Sequence, residues 1–166
     1  MIEKKVYVVF HSLSSEWYHY YVSKVRRSKV NHCGVMIEMP DGYLVYYHCS
    51  PYYKWRTTEG KRYLKRYVPL STFYIGTTKV SLNNLVASIK DGYLFAPWKL
   101  ILWHFVGRFL FPWYKPRGCG SFAHELLRSA GFDIKKHVAP DTLLKELRDE
   151  YNYVERQGES WKDLVS

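Results

Sequence analysis

The stretch "VNHCGVMIEMPDGYLVYYHCS", residues 30–50, decides how the chain folds. Two runs rich in β-branched and aromatic residues flank Pro40-Asp41-Gly42, which is the composition of a β-hairpin. Successive side chains of a strand point to opposite faces, so the register of the hairpin sorts every residue in it. A three-residue loop pairs Met39 with Tyr43. Cys33 then lies opposite Cys49 on one face, and His32 opposite Ser50 and His48 opposite Gly34 on the other. The two imidazoles become diagonal neighbours. A two-residue Asp-Gly loop shifts the register by one and separates the histidines. A left-handed Gly42 suits the longer loop.

The doublets His32-Cys33 and His48-Cys49 bring four metal-ligating side chains close together in sequence. Alternation along a regular strand keeps neighbours from aiming at one ion. No metal site and no cofactor are expected.

A second stretch, "RGCGSFAHELLRSAGF" (117–132), sets Cys119 between two glycines at the start of a helix. Phe122, Leu126 and Leu127 share one face, and Gly131 marks the stop. A thiol is nucleophilic as thiolate, and the unpaired N–H groups and positive dipole end of a helix favour the anion. Those N–H groups also suit the oxyanion formed when a thiolate attacks a carbonyl. A small buried residue opening a helix fits Cys119 equally well, because cysteine is often buried. A neighbouring base decides between the two.

The chain has 166 residues, 47% of them hydrophobic, with no low-complexity tract, so one domain with a sizeable core is expected. The expected fold class is α+β: a sheet-rich part over 1–80, a helical part over 81–150 and a loosely held tail over 151–166. "KKVYVVF" (4–10), "RYLKRYVPL" (62–70) and "FYIGTT" (73–78) read as further strands. "SLNNLVASIK" (81–90), with Ser81 as N-cap, and "PDTLLKELRDE" (140–150) read as helices. "HSLSSEWYHYYVSKVRRSK" (11–29) has no clear form.

Three cysteines, an odd number, do not make a disulfide framework, which points to a reducing compartment. "MIEKKVYVVF" has too short an apolar run for a secretory signal, so cytoplasmic synthesis is expected, with delivery in a virion or by injection if the target lies outside. The net charge of +10 suits an anionic polymer or a lipid surface. Nucleic acid is a less favoured partner.

The order His32, His48, Cys119 resembles that of the circularly permuted papain-like thiol enzymes, which include permuted NlpC-type hydrolases and lecithin:retinol acyltransferase-like proteins. "His32-Cys33-Gly34-Val35-Met36-Ile37" looks like the strand that begins with their histidine. "CGSFAHELLRSAGF" looks like the NlpC-type helix opened by the nucleophile. Gly118 stands where many NlpC-type members carry Asp. The resemblance implies an antiparallel sheet packed against helices, with Cys119 the nucleophile, His32 its base and His48 the residue that orients His32. It further implies a cysteine hydrolase of amide bonds, with peptidoglycan peptides as the substrate class and a phage as a fitting source.

The very apolar segment 93–114 has no counterpart in that resemblance. Leu94, Trp98, Ile101, Leu102, Phe105 and Phe109 follow helical spacing, and Pro97 and the charges break any membrane-spanning run. A core helix on the sheet is the favoured reading. A lipid-surface helix and a protein-docking segment are the others. Three functions therefore stand: the amide hydrolase, a lipid thiol acyl hydrolase or acyltransferase at a membrane surface, and a non-catalytic binding or assembly module.

Overall fold

The hairpin turn is the three-residue one. The Met39 N–H donates to the Tyr43 carbonyl at 2.8 Å, the Gly42 N–H donates to the Met39 carbonyl at 2.8 Å, and Gly42 sits at φ 78°. A Cβ there would be strained, which is why glycine closes the loop. From this turn run β2 (His32–Glu38) and β3 (Leu44–Ser50), with Ile37 facing Val45 and Gly34 facing His48. The computed structural model describes residues 2–13, 17–50, 53–87, 99, 102–113, 118–135, 137, 139–149, 154–157 and 162.

Around the hairpin an antiparallel sheet of six strands is built in the order β4-β3-β2-β1-β5-β6. Its other members are β1 (Lys4–His11), β4 (Tyr53–Glu59), β5 (Ser71–Thr78) and β6 (Val154–Gln157). Helix α1 (Trp17–Arg26) joins β1 to β2, α2 (Gly60–Arg66) joins β4 to β5, and α3 (Leu82–Ala87) follows β5. A π-helical turn, Trp103–Gly107, continues into α4 (Arg108–Leu110). Two longer helices come last, α5 (Cys119–Ser129) and α6 (Pro140–Asp149). The class is α+β.

The strand alternation creates two cores. On one face Val6, Val8, Phe10, Cys33, Val35, Ile37, Val45, Tyr47 and Cys49 pack against Phe122, Leu126 and Leu127 of α5 and Leu143 and Leu147 of α6. Each of the large side chains so buried contributes about 1.5–3 kcal/mol. On the other face Tyr7, Val9, Met36, Leu44 and Tyr46 pack against Leu64 of α2. Arg26 holds both carboxylate oxygens of Asp141 at 3.0–3.3 Å, which ties α1 to the start of α6.

Three local expectations are corrected. The segment 62–70 is not a strand, since residues 62–66 lie within α2. Its straight-chain lysines and arginines suit a helix, and Leu64 anchors it on the sheet. In the tail, residues 154–157 form the edge strand β6 beside β5, held by the Arg148–Glu155 ion pair. Finally, the aromatic segment is not a core helix where it is described. Leu102, Phe105 and Phe109 lie at the surface, Phe109 with 69% exposure, and only Trp103 leans on the core. Leu94, Trp98 and Ile101 fall outside the described residues.

Gly34 is where the strand meets its tightest neighbour. A Cβ there would fall 2.5 Å from the Tyr46 hydroxyl and 2.7 Å from the Tyr47 carbonyl. Gly34→Ala is therefore expected to cost about 1–3 kcal/mol, read as a lower urea midpoint with an unchanged slope. An unchanged midpoint would mean that Tyr46 is not seated over the strand.

Candidate functional site

Cys119 is the first residue of α5, and a hydrogen-bonded loop fixes its approach. The Gly118 N–H donates to the Ser121 hydroxyl at 2.9 Å, and that hydroxyl donates to the Gly118 carbonyl at 3.2 Å. The Phe122 N–H closes the first helical turn on the same carbonyl at 2.9 Å. Ser121 is fully buried, so the start of the helix is held from within. Cys119 itself is buried and belongs to the core cluster that α5 shares with the sheet.

The sulfur faces Cys33. A hydrogen bond from the Cys33 thiol is the largest influence on Cys119 and holds its pKa below the ordinary thiol value. Burial opposes this. The N–H groups of Cys33, Gly120 and Cys119 itself add to the lowering. Cys33 moves the other way: full burial, and then its donation to Cys119, push its thiol well up. One sulfur of the pair is thus prepared to carry charge and the other to keep its proton. Cys49, across the hairpin from Cys33, is also pushed up by burial.

The imidazoles occupy the other face of the same strands. His32 and His48 have ring centroids 5.5 Å apart, nearly perpendicular, as the diagonal register requires. A third ring joins them. His11, at the end of β1, pairs with His32 across the strands, their rings 6.2 Å apart, and its Nε2 lies 3.1 Å from the Tyr46 hydroxyl. Tyr63 of α2 stacks on Tyr46 at 4.4 Å and reaches His48 at 5.0 Å. His11 and His32 are buried, and His48 is half-buried.

The structure therefore brings His32 and His48 together and sets Cys119 against Cys33, the residue next to His32. The largest influences on the thiol come from Cys33 and backbone N–H groups rather than from an imidazole. The two groups of residues still sense each other. A charge on Cys119 contributes to the raised pKa values of Tyr46 and Tyr63, both on the histidine face, although burial is the main cause in each. His32 is the first residue of β2, paired with His11 of β1 and buried, one residue before the Cys33 that faces the other side of the strand.

Two participants could not be named from sequence. His11 enters because β1 is the neighbour of β2 in the sheet, and strand order leaves no local sign. Cys33 carried a signal, its place opposite Cys49 on the non-histidine face, but nothing local indicated that α5 docks there. His124, half-buried on α5, lies beyond the first turn, and His137 pairs with Glu146. Among the described residues, no group of three or more His, Cys, Asp or Glu side chains is placed to hold a metal ion.

The pH dependence of alkylation by iodoacetamide checks the thiol. Cys119 is expected to react with an inflection below the value of about 8.5 of a free cysteine. Cys33→Ala removes the largest stabilising donor, so the inflection moves up. An unmoved inflection would show that the helix N–H groups alone set the thiol. In comparison with known proteins, no protein-family model, no curated protein and no solved structure matches the chain.

Proposed function

We propose that the chain is a cysteine hydrolase of the permuted papain-like, NlpC-type kind, cleaving amide bonds through an acyl-enzyme, with peptidoglycan peptides as its substrate class. The observation that carries this reading is the thiol at the start of α5, lowered in pKa by Cys33 and by the N–H groups of its own helix. In this mechanism His32 takes the proton of Cys119, and the thiolate attacks the amide carbonyl. The Cys119 and Gly120 N–H groups hold the oxyanion. His32 then protonates the leaving amine, and water, activated by the same ring, releases the acyl group. His48 orients the His32 ring from the next strand. The first proton transfer requires the thiol and His32 to come together in the substrate complex, where hydrogen bonds at such sites often tighten. The net charge of +10 favours an anionic polymer as substrate.

A second reading, a thiol acyl hydrolase or acyltransferase at a lipid surface, is favoured by the aromatic segment. Phe105, Phe109, Leu110, Phe111 and Trp113 are exposed together, Trp113 to 77%. Beside them is a groove of about 430 Å³ lined by Lys99, Leu102, Trp103, Val106, Leu110 and Phe111, among others. Helix α1 packs against the π-helical turn and carries or leads into the exposed Lys24, Arg27 and Lys29. Apolar side chains beside cations suit an anionic bilayer interface. No helix among the described residues is long and apolar enough to cross a membrane.

Turnover assays on cross-linked muropeptides and on phospholipid vesicles separate the two. On the right substrate, Cys119→Ala abolishes turnover and His32→Ala lowers kcat by about a hundredfold or more. Turnover retained in Cys119→Ala sinks both readings. No turnover on either substrate, together with an ordinary thiol, leaves the binding module.

The lipid reading has its own check. Co-sedimentation with phosphatidylglycerol vesicles is expected to exceed that with phosphatidylcholine, and Phe109→Ser to weaken it by about tenfold. Equal and weak sedimentation with both vesicles would remove the lipid surface as a partner.

A further inference from the structure

Alternation along β1 puts Lys4 in the row of Val6, Val8 and Phe10, on the side of the sheet that α5 covers. The first position of that row is thus an ammonium, and the residue is buried, with 7% exposure. Its Nζ donates to the Ile2 carbonyl and to the Val80 carbonyl, each at 3.1 Å. No carboxylate among the described residues forms an ion pair with it, whereas Lys5, its more exposed neighbour, reaches Glu38. A buried charge is ordinarily paired, and an ammonium has three protons to donate. Two go to neutral carbonyls here. One N–H and the whole charge remain without a protein partner among the described residues.

Lys4 lines a cleft of about 910 Å³ formed by the start of β1, the end of β5 and the start of α3. Ile2, Met39, Val80 and Leu82 give it apolar walls. Its hydroxyls are only partly engaged. The Thr78 hydroxyl donates to the Ala130 carbonyl at 2.9 Å and accepts from the Val80 N–H at 3.2 Å. The Ser81 hydroxyl accepts from the Asn84 N–H at 3.2 Å and keeps its own proton to donate. We propose that this cleft binds a small aliphatic carboxylic acid, with the carboxylate held by Lys4 and Ser81 and the hydrocarbon body by the apolar walls.

The class of anion follows from the donors. A buried cation with one spare N–H suits a single negative charge, and a carboxylate offers one oxygen to the ammonium and one to the hydroxyl. A phosphate dianion asks for more cations or for a row of N–H groups. Glu3, whose carboxylate accepts from the Thr77 hydroxyl at 2.7 Å, also lines the cleft and repels a second charge. The volume lies within the range of small-molecule pockets, about 300–1,000 Å³. The thiol is far off. Cys119 opens α5, whereas Ala130, beside the cleft, follows its last residue, about 16 Å along the helix. Binding here therefore does not require that Cys119 turn over any substrate.

The test titrates the full-length, nitrogen-15-labelled chain with acetate, butyrate and hexanoate, and with phosphate, at matched ionic strength, and follows the amide resonances. The expected result is a saturable shift confined to residues 77–84 and Ala130, with affinity rising about threefold for each added methylene. Lys4→Met keeps the length of the side chain and removes the charge, and it weakens hexanoate binding by about tenfold or more. Lys79→Met, the same change of charge at an exposed lysine of the same cleft, alters it by less than about twofold. No saturable shift at these amides in the wild type overturns the site. An equal loss in Lys79→Met reduces it to surface charge, and phosphate binding as tightly as hexanoate, or affinity that ignores chain length, overturns the carboxylic acid. Should Lys4→Met fail to fold, Asn83→Trp, which narrows the cleft from an exposed position, takes its place: hexanoate binding that it leaves unchanged also overturns the site.

Discussion

The register of the β2–β3 hairpin is the constraint on which the other features depend. A strand has two faces and a period of two, so slipping the pairing by one residue exchanges every inward side chain for an outward one. The turn at Pro40-Asp41-Gly42 prevents that slip. It sends Cys33, Val35 and Ile37 to the side that α5 covers, and His32, Gly34 and Met36 to the side that faces α2. Without it there would be neither a thiol cluster nor a pair of histidines. The chemistry of both faces is thus set by a glycine several residues away from any reactive atom.

The two faces then develop differently. The thiol side is apolar, and there the Cys33 thiol, and after it nearby backbone N–H groups, hold the Cys119 pKa below the ordinary thiol value against burial. The imidazole side is aromatic, with Tyr46 and Tyr63 stacked between His11 and His48. Burial keeps the tyrosines protonated, so they stay hydrogen-bond donors over the neutral range.

Much of this was legible before the structure. The hairpin and its register follow from Asp41-Gly42 and from the spacing of two histidines, both local properties. Helices α5 and α6 follow from apolar periodicity with a glycine or proline at the boundary, and Ser81 caps α3 as its position implies. What was not legible depends on contacts between distant parts of the chain. The helix at 60–66 has a strand-like apolar pattern that only Leu44 and Tyr46 beneath it resolve. The segment around Phe105 and Phe109 has the spacing of a core helix, yet the sheet face it would cover is already taken by α5 and α6. The pairing of Cys119 with Cys33 rests on where a helix docks, and no spacing encodes that.

The strand β6 bears on how the molecule folds. Ser71 pairs with Gln157, so the chain must close a loop of more than eighty residues before that edge of the sheet is complete. Closure of so long a loop carries an entropic cost that a tight hairpin avoids. The hairpin and its neighbour β1 are therefore suited to form early, and β6 to add late and to open first. Each opening uncovers the backbone edge of β5, the place where a strand from another molecule can be accepted. β6 thus acts as a guard on the β5 edge, with the Arg148–Glu155 ion pair beside it.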